Sequence, residues 1–403
     1  MENSNAKCPK WLVSHFLKRG GTLSFSQFMD LALNDSEKGS YASGEIKIGR
    51  DGDFVTSPSL GSDFAELLAI QLIRWFEDIF NNDPSLHKVS LVDIGPGEGD
   101  LALDLLEALE RMSPNLYEKL DLVLIEINSA MRKRQKHKLS SLTNASVRWT
   151  TLEELCDEPI VGVIIAHEIL DALPVERLVF RNGSLQQVGI KIVRNNSNYY
   201  LKYVDLPLSN EIIKTLESYN NNYNIIIPPI NASEGWSTEL HVNLDSWFSK
   251  VSRAINKGLL LVIDYSLDAK DYYNEFRSSG TIVAYKNQKL YTDVLLKPGT
   301  YDITSHICKE AAILSAQKNN FKFIGSTMQG LALLALGLAG KLSILRELGN
   351  HDISKALKTR ENLLRLVDPG ALGRFQWLLF QIKKNEFVEP IEFNTSFLDE
   401  PNN

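Results

Sequence analysis

Three glycines at alternating positions, Gly95, Gly97 and Gly99, follow the apolar run LVDI and precede a helical pattern. This order predicts a strand, a tight turn and a helix, and a turn without Cβ atoms lets the backbone approach a ligand closely. Asp100 stands where a dinucleotide fingerprint needs its third glycine, so NAD and FAD are disfavoured. Asp93 suits a ligand with an amino group, which favours S-adenosylmethionine. A generic tight turn in an α/β protein is the simpler alternative.

Carboxylates follow two later strand patterns. Glu126 lies at the end of the run LDLVLIEI, where a carboxylate can accept hydrogen bonds from ribose hydroxyls or act as a helix N-terminal charge. The segment AHEILDALPVERL places Glu168 and Asp171 three residues apart, on one side of a helical turn. Paired carboxylates match the planar donors of a guanidinium, although a capping carboxylate beside a solvated one would also explain the pair.

Other candidate residues have less specific signals. His167 could act as a general base, but a histidine at a strand end more often has a structural hydrogen bond. Asp264 and Tyr265 could line a substrate pocket, or Asp264 could simply cap the next element. His306 has no second ligand at metal-binding spacing, so no metal site is predicted. The missing G-x-S-x-G and P-loop motifs argue against an α/β-hydrolase and an NTPase.

The predicted strands bring these residues together. Apolar runs that begin near residues 91, 120, 147, 160 and 258 alternate with helical patterns, which predicts a parallel sheet with right-handed crossovers. Ligands of such sheets bind beyond the carboxyl ends of the strands. Gly97, Glu126 and Glu168 all fall at such ends. We therefore expect three separate stretches to converge on one cleft.

The remaining patterns predict the organisation of the chain. We expect an N-terminal helical extension with a long polar loop over residues 1–85 and the first half of the sheet domain over 86–180. Short β-like runs and the Asn182-Gly183 turn predict an inserted cap over 181–235, and the second half of the sheet domain follows over 236–403. The polar loop at 39–64 is too long for a simple connector, and such loops often carry sites.

Composition limits the class of protein. With 403 residues, 44% of them hydrophobic, the chain can bury a sizeable core. A net charge of −7 disfavours a broad nucleic-acid interface, and the basic run at 132–138 is better explained as a solvated helix face than as a surface for an acidic partner. Cys8, Cys156 and Cys308 lack C-x-x-C spacing, which indicates a reducing compartment.

The two ends of the chain bear on its location. The first residues have neither the apolar core of a secretory signal nor the Arg- and Ser-rich composition of a transit segment. The apolar stretch at 331–338 is too short to span a bilayer and predicts a buried helix. We therefore expect a soluble, cytoplasmic protein that starts at Met1 and does not insert into membranes.

Several motifs in the same order make the chain resemble the MidA family of S-adenosylmethionine-dependent methyltransferases, relatives of a mitochondrial complex I assembly arginine methyltransferase. They are GGTLSFSQFMDLAL (20–33), GDFVTSPSLGSDFAELL (52–68), VDIGPGEGDL (92–101), AHEILDALPVERLVF (166–180), LLLVIDYS (259–266) and KPGTYDITSHI (297–307). The resemblance implies a class I methyltransferase (Rossmann-like) α/β fold, with a mostly parallel sheet, an N-terminal helical extension and an inserted α+β substrate-side subdomain. It also implies methylation of an arginine in a partner protein, such as a respiratory complex subunit, and is compatible with a homodimer.

The resemblance assigns roles by position. Glu168 and Asp171 would face the acceptor, Glu126 would hold the ribose and Leu152 would pack near the adenine. The other residues implied at the cofactor are Thr56, Ser57, Gly95, Gly97 and Gly99. The chain departs from the family pattern at Ser59, Glu98 and His167 and in the segment 285–288. These departures motivate an alternative, an assembly or chaperone-like protein that binds S-adenosylmethionine but transfers methyl groups weakly or not at all.

Overall fold

The computed structural model describes residues 6–44, 46, 49, 52–142, 144–348, 353–384 and 391–399; the predicted start at Met1 and part of the loop at 39–64 lie outside these ranges. The helices are α1 (Lys10–Leu17), α2 (Phe25–Asn34), α3 (Asp63–Asn82), α4 (Asp100–Met112), α5 (Pro114–Tyr117), α6 (Ser129–Lys138), α7 (Leu152–Asp157), α8 (Asn210–Tyr223), α9 (Leu244–Ala254), α10 (Ala269–Tyr272), α11 (Lys309–Lys318), α12 (Gln329–Ala335), α13 (Leu338–Leu348) and α14 (Ile353–Val367). The strands are β1 (Thr22–Ser24), β2 (Val89–Ile94), β3 (Leu120–Ile125), β4 (Ser146–Thr150), β5 (Ile160–His167), β6 (Glu176–Arg181), β7 (Ser184–Asn195), β8 (Asn198–Leu206), β9 (Ser237–Leu240), β10 (Ile255–Asp264), β11 (Ser266–Leu267), β12 (Val283–Lys286), β13 (Lys289–Tyr291), β14 (Asp302–Thr304), β15 (Ile307–Cys308), β16 (Phe321–Met328) and β17 (Gln376–Ile382).

The larger sheet has seven strands in the order β16-β17-β10-β5-β2-β3-β4. Strands β10, β5, β2, β3 and β4 are parallel to their neighbours in this series, whereas β17 is antiparallel to both β10 and β16. The predicted mostly parallel α/β sheet is thus confirmed. Both faces of the sheet are covered, which explains why its strands are nearly continuous apolar runs.

Each face of the larger sheet has its own hydrophobic core. Helices α3, α4, α12 and α14 cover one face, where Phe64, Trp75 and Trp377 are fully buried. Helices α9 and α11 cover the other, around Phe248 and Phe380. Burying one such side chain contributes about 1.5–3 kcal/mol. These two layers hold the strand ends in fixed positions.

A second sheet, with the order β1-β7-β6-β9 and β8 paired with β7, joins the N-terminal residues to the middle of the chain. Strand β1 pairs antiparallel with β7, and α1 and α2 pack on this sheet through Phe16, Phe28 and Ile190. Ser24 caps α2 and also donates a hydrogen bond to Glu176 on β6 at 2.7 Å. The sheet therefore uses residues on both sides of the predicted insertion at 181–235.

The C-terminal helices differ from the sequence-based expectation. The apolar stretch at 331–338 is not one buried helix: α12 ends at Ala335, Gly337 takes a left-handed φ of 101°, and Leu331 is 41% exposed. Helix α11 was not predicted from the sequence. It is buried on nearly every side, so its apolar residues do not recur with helical periodicity. In the part of the chain that the structure describes, no helix is both long and apolar enough to cross a membrane.

Close backbone packing in the larger sheet generates a stability prediction. Gly258 faces Gly162 on the neighbouring strand, and a Cβ atom on Gly258 would lie 1.7 Å from the carbonyl oxygen of Gly162. We expect Gly258→Ala to lower the free energy of unfolding in urea by about 2–4 kcal/mol, because the strands must separate. As a control, Gly340→Ala on α13, where no atom lies within 4 Å of the added Cβ, should raise it by about 0.5–1 kcal/mol. Equal effects of the two substitutions would contradict this account.

Candidate functional site

A cavity of about 690 Å³ lies at the carboxyl ends of β2, β3 and β5. Three separate stretches of the chain converge on it, at the positions where the sequence places the glycine turn and the two later carboxylates. The residues with a predicted role that line this cavity are Thr56, Asp93, Gly95, Gly97, Glu126 and Glu168.

Four residues with a predicted role do not line this cavity. The Ser57 hydroxyl is fully buried and hydrogen-bonded to the Gln329 side chain at 3.1 Å. Gly99 is the N-cap of α4, and Leu152 packs in the core on the α9 face of the sheet. Asp171 lines a second, adjoining pocket.

The glycine turn adopts a conformation that requires its glycines. Gly95, Gly97 and Gly99 have φ values of 67°, 54° and 85°, in the left-handed region that other residues enter only with strain. Beside the turn, burial raises the pKa of Asp93 to about 7, and its Oδ2 atom has no hydrogen-bond partner. A buried carboxylate without a partner fits a ligand that carries an ammonium group.

Glu126 is held by two donors. Its Oε1 accepts a hydrogen bond from the backbone N–H of Asn128 at 2.8 Å, and its Oε2 accepts one from the Gln135 side chain at 3.2 Å. Gln135 also donates to the carbonyl of Gly97 at 2.8 Å and accepts from the Trp149 indole at 2.9 Å. Gln135 therefore fixes the glycine turn and the Glu126 carboxylate relative to each other.

The role of Gln135 was not predicted from the sequence. It lies inside the basic run at 132–138, where its only signal is a neutral amide among charged side chains. In the structure it is the fully buried residue of α6, whereas Lys133 and Lys136 on the same helix are exposed. Only the packing of α6 against the glycine turn makes Gln135 buried while its neighbours on the helix stay exposed.

The second pocket has a volume of about 230 Å³ and adjoins the first, since Tyr41, Phe54 and Glu168 line both. Burial, together with Asp171 and Asp264, raises the pKa of Glu168 well above its ordinary value. Glu168 also has a left-handed φ of 54°, a strained conformation for a residue with a Cβ atom. Strain of this kind is typical of functional sites, where surrounding contacts enforce it.

Asp264 and Thr304 hold the two acidic residues in place. The Oδ2 atom of Asp264 accepts hydrogen bonds from the backbone N–H groups of residues 169, 170 and 171 at 3.1, 2.9 and 3.3 Å, so Asp264 supports the turn and does not line either pocket. Thr304 donates to Oδ2 of Asp171 at 2.7 Å, while Oδ1 of Asp171 is buried without a partner. Tyr265, by contrast, lies on the wall of the second pocket.

His167 lines the first cavity between the rings of Phe64 and Phe375, with ring centroids 5.6 and 6.2 Å away. Burial lowers the pKa of His167 to about 4, so its imidazole is neutral at physiological pH. His306 is also largely buried, and in the described ranges no three His, Cys, Asp or Glu side chains are placed to hold a metal ion.

Residues 67–327 match the family model for S-adenosyl-L-methionine-dependent methyltransferases. The chain belongs to this family. Among its relatives, the protein arginine methyltransferase NDUFAF7 homolog of Drosophila melanogaster, a mitochondrial protein, is 24% identical and aligns with 94% of this chain and 85% of its own. Human mitochondrial NDUFAF7, also a protein arginine methyltransferase, is 23% identical over 89% of this chain and 79% of its own. A crystal structure of a COG1565 superfamily member from Burkholderia thailandensis with bound S-adenosyl-homocysteine has a TM-score of 0.79 and 24% identity, and covers 97% of this chain and 94% of its own.

These findings confirm the predicted family, the Rossmann-like α/β fold and S-adenosylmethionine as the cofactor. A dinucleotide-dependent oxidoreductase, already disfavoured by Asp100, is not supported. The cytoplasmic location predicted from the cysteines and the N-terminal composition is contradicted, because the relatives are named as mitochondrial proteins. Neither cysteine spacing nor the missing signal features distinguishes one reducing compartment from another.

The buried Asp93 carboxylate of the methyltransferase generates a pH prediction. A ligand ammonium favours ionised Asp93, and this residue ionises around pH 7 because burial raises its pKa. We therefore expect the affinity for S-adenosylhomocysteine to rise roughly tenfold between pH 6 and pH 8 by calorimetry. Asp93→Asn should bind more weakly at pH 8 and show a flat profile. An unchanged pH dependence in this variant would assign the titration to another group.

Gln135 generates a second prediction for the site. We expect Gln135→Leu to weaken binding of S-adenosylhomocysteine about tenfold and to lower the free energy of unfolding by about 2 kcal/mol, because three half-buried groups lose a partner. Gln381→Leu, which loses a hydrogen bond to the carbonyl of Ile391 away from the cavity, should affect stability only. If both variants kept full affinity, Gln135 would have no part in holding the site.

Proposed function

We propose that this methyltransferase transfers the methyl group to a guanidinium nitrogen of an arginine in a partner protein. The observation that carries the proposal is the acidic second pocket. Glu168 lines both this pocket and the cofactor cavity, and Oε1 of Glu168 and Oδ1 of Asp171 are buried without hydrogen-bond partners. Nδ1 of His167 lies 3.5 Å from Oε1 of Glu168, and burial keeps this histidine neutral. Two buried, incompletely paired carboxylates next to a methyl donor would bind a cationic, planar donor group strongly.

The cofactor side follows from the first cavity. When bound, S-adenosylmethionine supplies a methyl group activated by its sulfonium. Asp93 would hold the amino group and Glu126 the ribose hydroxyls, while Thr56, Gly95 and Gly97 would line the site. Three further residues with a predicted cofactor role do not line the cavity and would instead hold its lining residues in place. These are Ser57, Gly99 and Leu152.

The acceptor side would act mainly by positioning. Displacement at the methyl carbon requires the acceptor nitrogen to be held in line, and correct alignment supplies much of the rate enhancement in such reactions. Glu168 and Asp171 would orient the guanidinium, and one of these carboxylates would accept the N–H proton that the acceptor gives up as its nitrogen takes the methyl group and S-adenosylhomocysteine leaves. Burial raises the pKa values of both carboxyl groups, and a cation that enters the pocket would lower them and favour the ionised form.

The names of the relatives support a protein substrate, since both are protein arginine methyltransferases. We propose a subunit of a respiratory complex as the acceptor on the resemblance to complex I assembly proteins. We also propose that the protein forms a homodimer.

The contacts of the residues that depart from the family pattern favour an active methyltransferase over a protein that has lost methyl transfer. Ser59 donates to the carbonyl of Thr56 at 2.8 Å, Glu98 pairs with Arg134 at 3.0 Å and Lys286 with Asp53 at 3.1 Å. These three residues thus have partners within the protein, and none of the departures, His167 included, removes Glu168 or Asp171. The alternative, an assembly protein that binds the cofactor without transferring the methyl group, is an outcome of the following test.

The test measures transfer of the methyl group from tritiated S-adenosylmethionine to proteins in a lysate that lacks the endogenous enzyme. The methylated residue is then identified by mass spectrometry. We expect label on arginine, and a loss of about 10²–10³-fold in Glu168→Gln because a charge contact in the transition state is removed. The control Glu158→Gln, at the exposed C-cap of α7 and on neither pocket wall, should keep full activity. Tight S-adenosylhomocysteine binding without any labelled protein would favour the assembly protein, and label on lysine alone would contradict an arginine acceptor.

A further inference from the structure

A third carboxylate lies on the wall of the acceptor pocket. Asp302 is on β14, far in sequence from Glu168 and Asp171, and it is only 6% exposed. Asp302 pairs with Tyr285 of β12 across the strands, and both residues line the pocket. The described residues that line the pocket include no Lys, Arg or His, although Asp53 on its wall is paired with Lys286 behind it. The pocket therefore combines four carboxylates, and only Asp53 among them is paired with a lysine.

Tyr41 connects this carboxylate to the cofactor side. The Tyr41 hydroxyl donates to Oδ1 of Asp302 at 2.8 Å, and the Tyr41 side chain borders both cavities. The carbonyl of Tyr41 accepts a hydrogen bond from the Asn128 side chain at 3.0 Å, and the Asn128 backbone N–H donates to Glu126 at 2.8 Å. A continuous series of hydrogen bonds thus runs from Asp302 to the carboxylate that faces the first cavity.

We propose that Asp302 is a third acceptor-binding carboxylate and that Tyr41 is the positioning residue that fixes Asp302 relative to the cofactor cavity. This inference rests on the proposed arginine acceptor. A guanidinium has five N–H donors in one plane, more than Glu168 and Asp171 engage along one edge. A carboxylate on a different strand can accept the remaining donors.

The same arrangement predicts selectivity between cations. A lysine ammonium is a compact point charge with three donors around one nitrogen, so it cannot span carboxylates on separate elements as a guanidinium does. Asp302 would therefore contribute more to binding a guanidinium than an ammonium. Tyr41 suits its role because burial and nearby Asp302 raise the pKa of its hydroxyl, which keeps the phenol neutral and a donor.

The experiment measures binding of ethylguanidinium chloride to the full chain saturated with S-adenosylhomocysteine, by ligand-observed NMR titration, with propylammonium chloride as the comparison. In the wild type we expect ethylguanidinium to bind more tightly than propylammonium. Asp302→Asn should weaken ethylguanidinium binding about tenfold and bring the two cations close together in affinity, as expected for the loss of one charge-assisted hydrogen bond. Tyr41→Phe should weaken it severalfold.

Matched controls separate this role from general effects of the substitutions. Asp205→Asn removes a carboxylate that pairs with Arg181 on the second sheet, and Tyr219→Phe removes a buried hydroxyl that has no hydrogen-bond partner. Both should leave cation binding unchanged. Asp302→Asn and the two controls should bind S-adenosylhomocysteine within about twofold of the wild type. The double variant of Tyr41 and Asp302 should be no weaker than Asp302→Asn, because the two residues act as a unit.

Several results would overturn the proposal. These are a wild type that binds no ethylguanidinium, an Asp302→Asn variant with unchanged selectivity, or additive effects of the two substitutions. Should Asp302→Asn fail to bind the cofactor, Tyr41→Phe decides by the same criteria. Asp302-dependent binding of ethylguanidinium without any arginine methylation in lysate would retain this inference while removing the proposed function. Arginine methylation that is insensitive to Asp302 would do the reverse.

Discussion

The geometry of the site depends on one carboxylate that touches neither ligand pocket. Asp264, at the end of β10, accepts hydrogen bonds from three successive backbone N–H groups at residues 169–171 of the neighbouring segment. These bonds hold the chain in a tight turn directly after β5, with Glu168 in a left-handed conformation. Without this anchor, the strain at Glu168 and the proximity of its carboxylate to Asp171 would both favour a different backbone path.

The acidic residues around this turn are in an environment that disfavours their charges. Burial is the main cause of the raised pKa values of Glu168, Asp171 and Asp302, and neighbouring carboxylates add to it for Glu168 and Asp302. Such a cluster lowers the stability of the folded protein at high pH, since ionisation is favoured in the unfolded chain. A cation that enters the pocket removes this penalty. The positively charged acceptor that we propose would thus relieve a cost that the fold bears in its absence.

The second sheet and the loop after α2 complete the site. The loop supplies Tyr41 and Thr56, which border the first cavity, and α1 and α2 pack on the second sheet through an apolar core of its own. The carboxyl ends of the larger sheet by themselves would leave the ligand exposed to water. Electrostatic interactions are stronger in a covered site of low dielectric than in water.

The sequence by itself determined the larger sheet, the glycine turn and the positions of Asp93, Glu126 and Glu168 at strand ends, because buried parallel strands are continuous apolar runs and their ends share one edge. It did not reveal the contacts of Gln135, Tyr41 and Asp302, nor that Ser57, Gly99 and Leu152 do not line the cavity. Gln135 is hidden in a basic run, and Asp302 lies on a three-residue strand without a periodic pattern. Their roles depend on contacts between residues far apart in the chain, and these contacts exist only after the helices and the second sheet have packed.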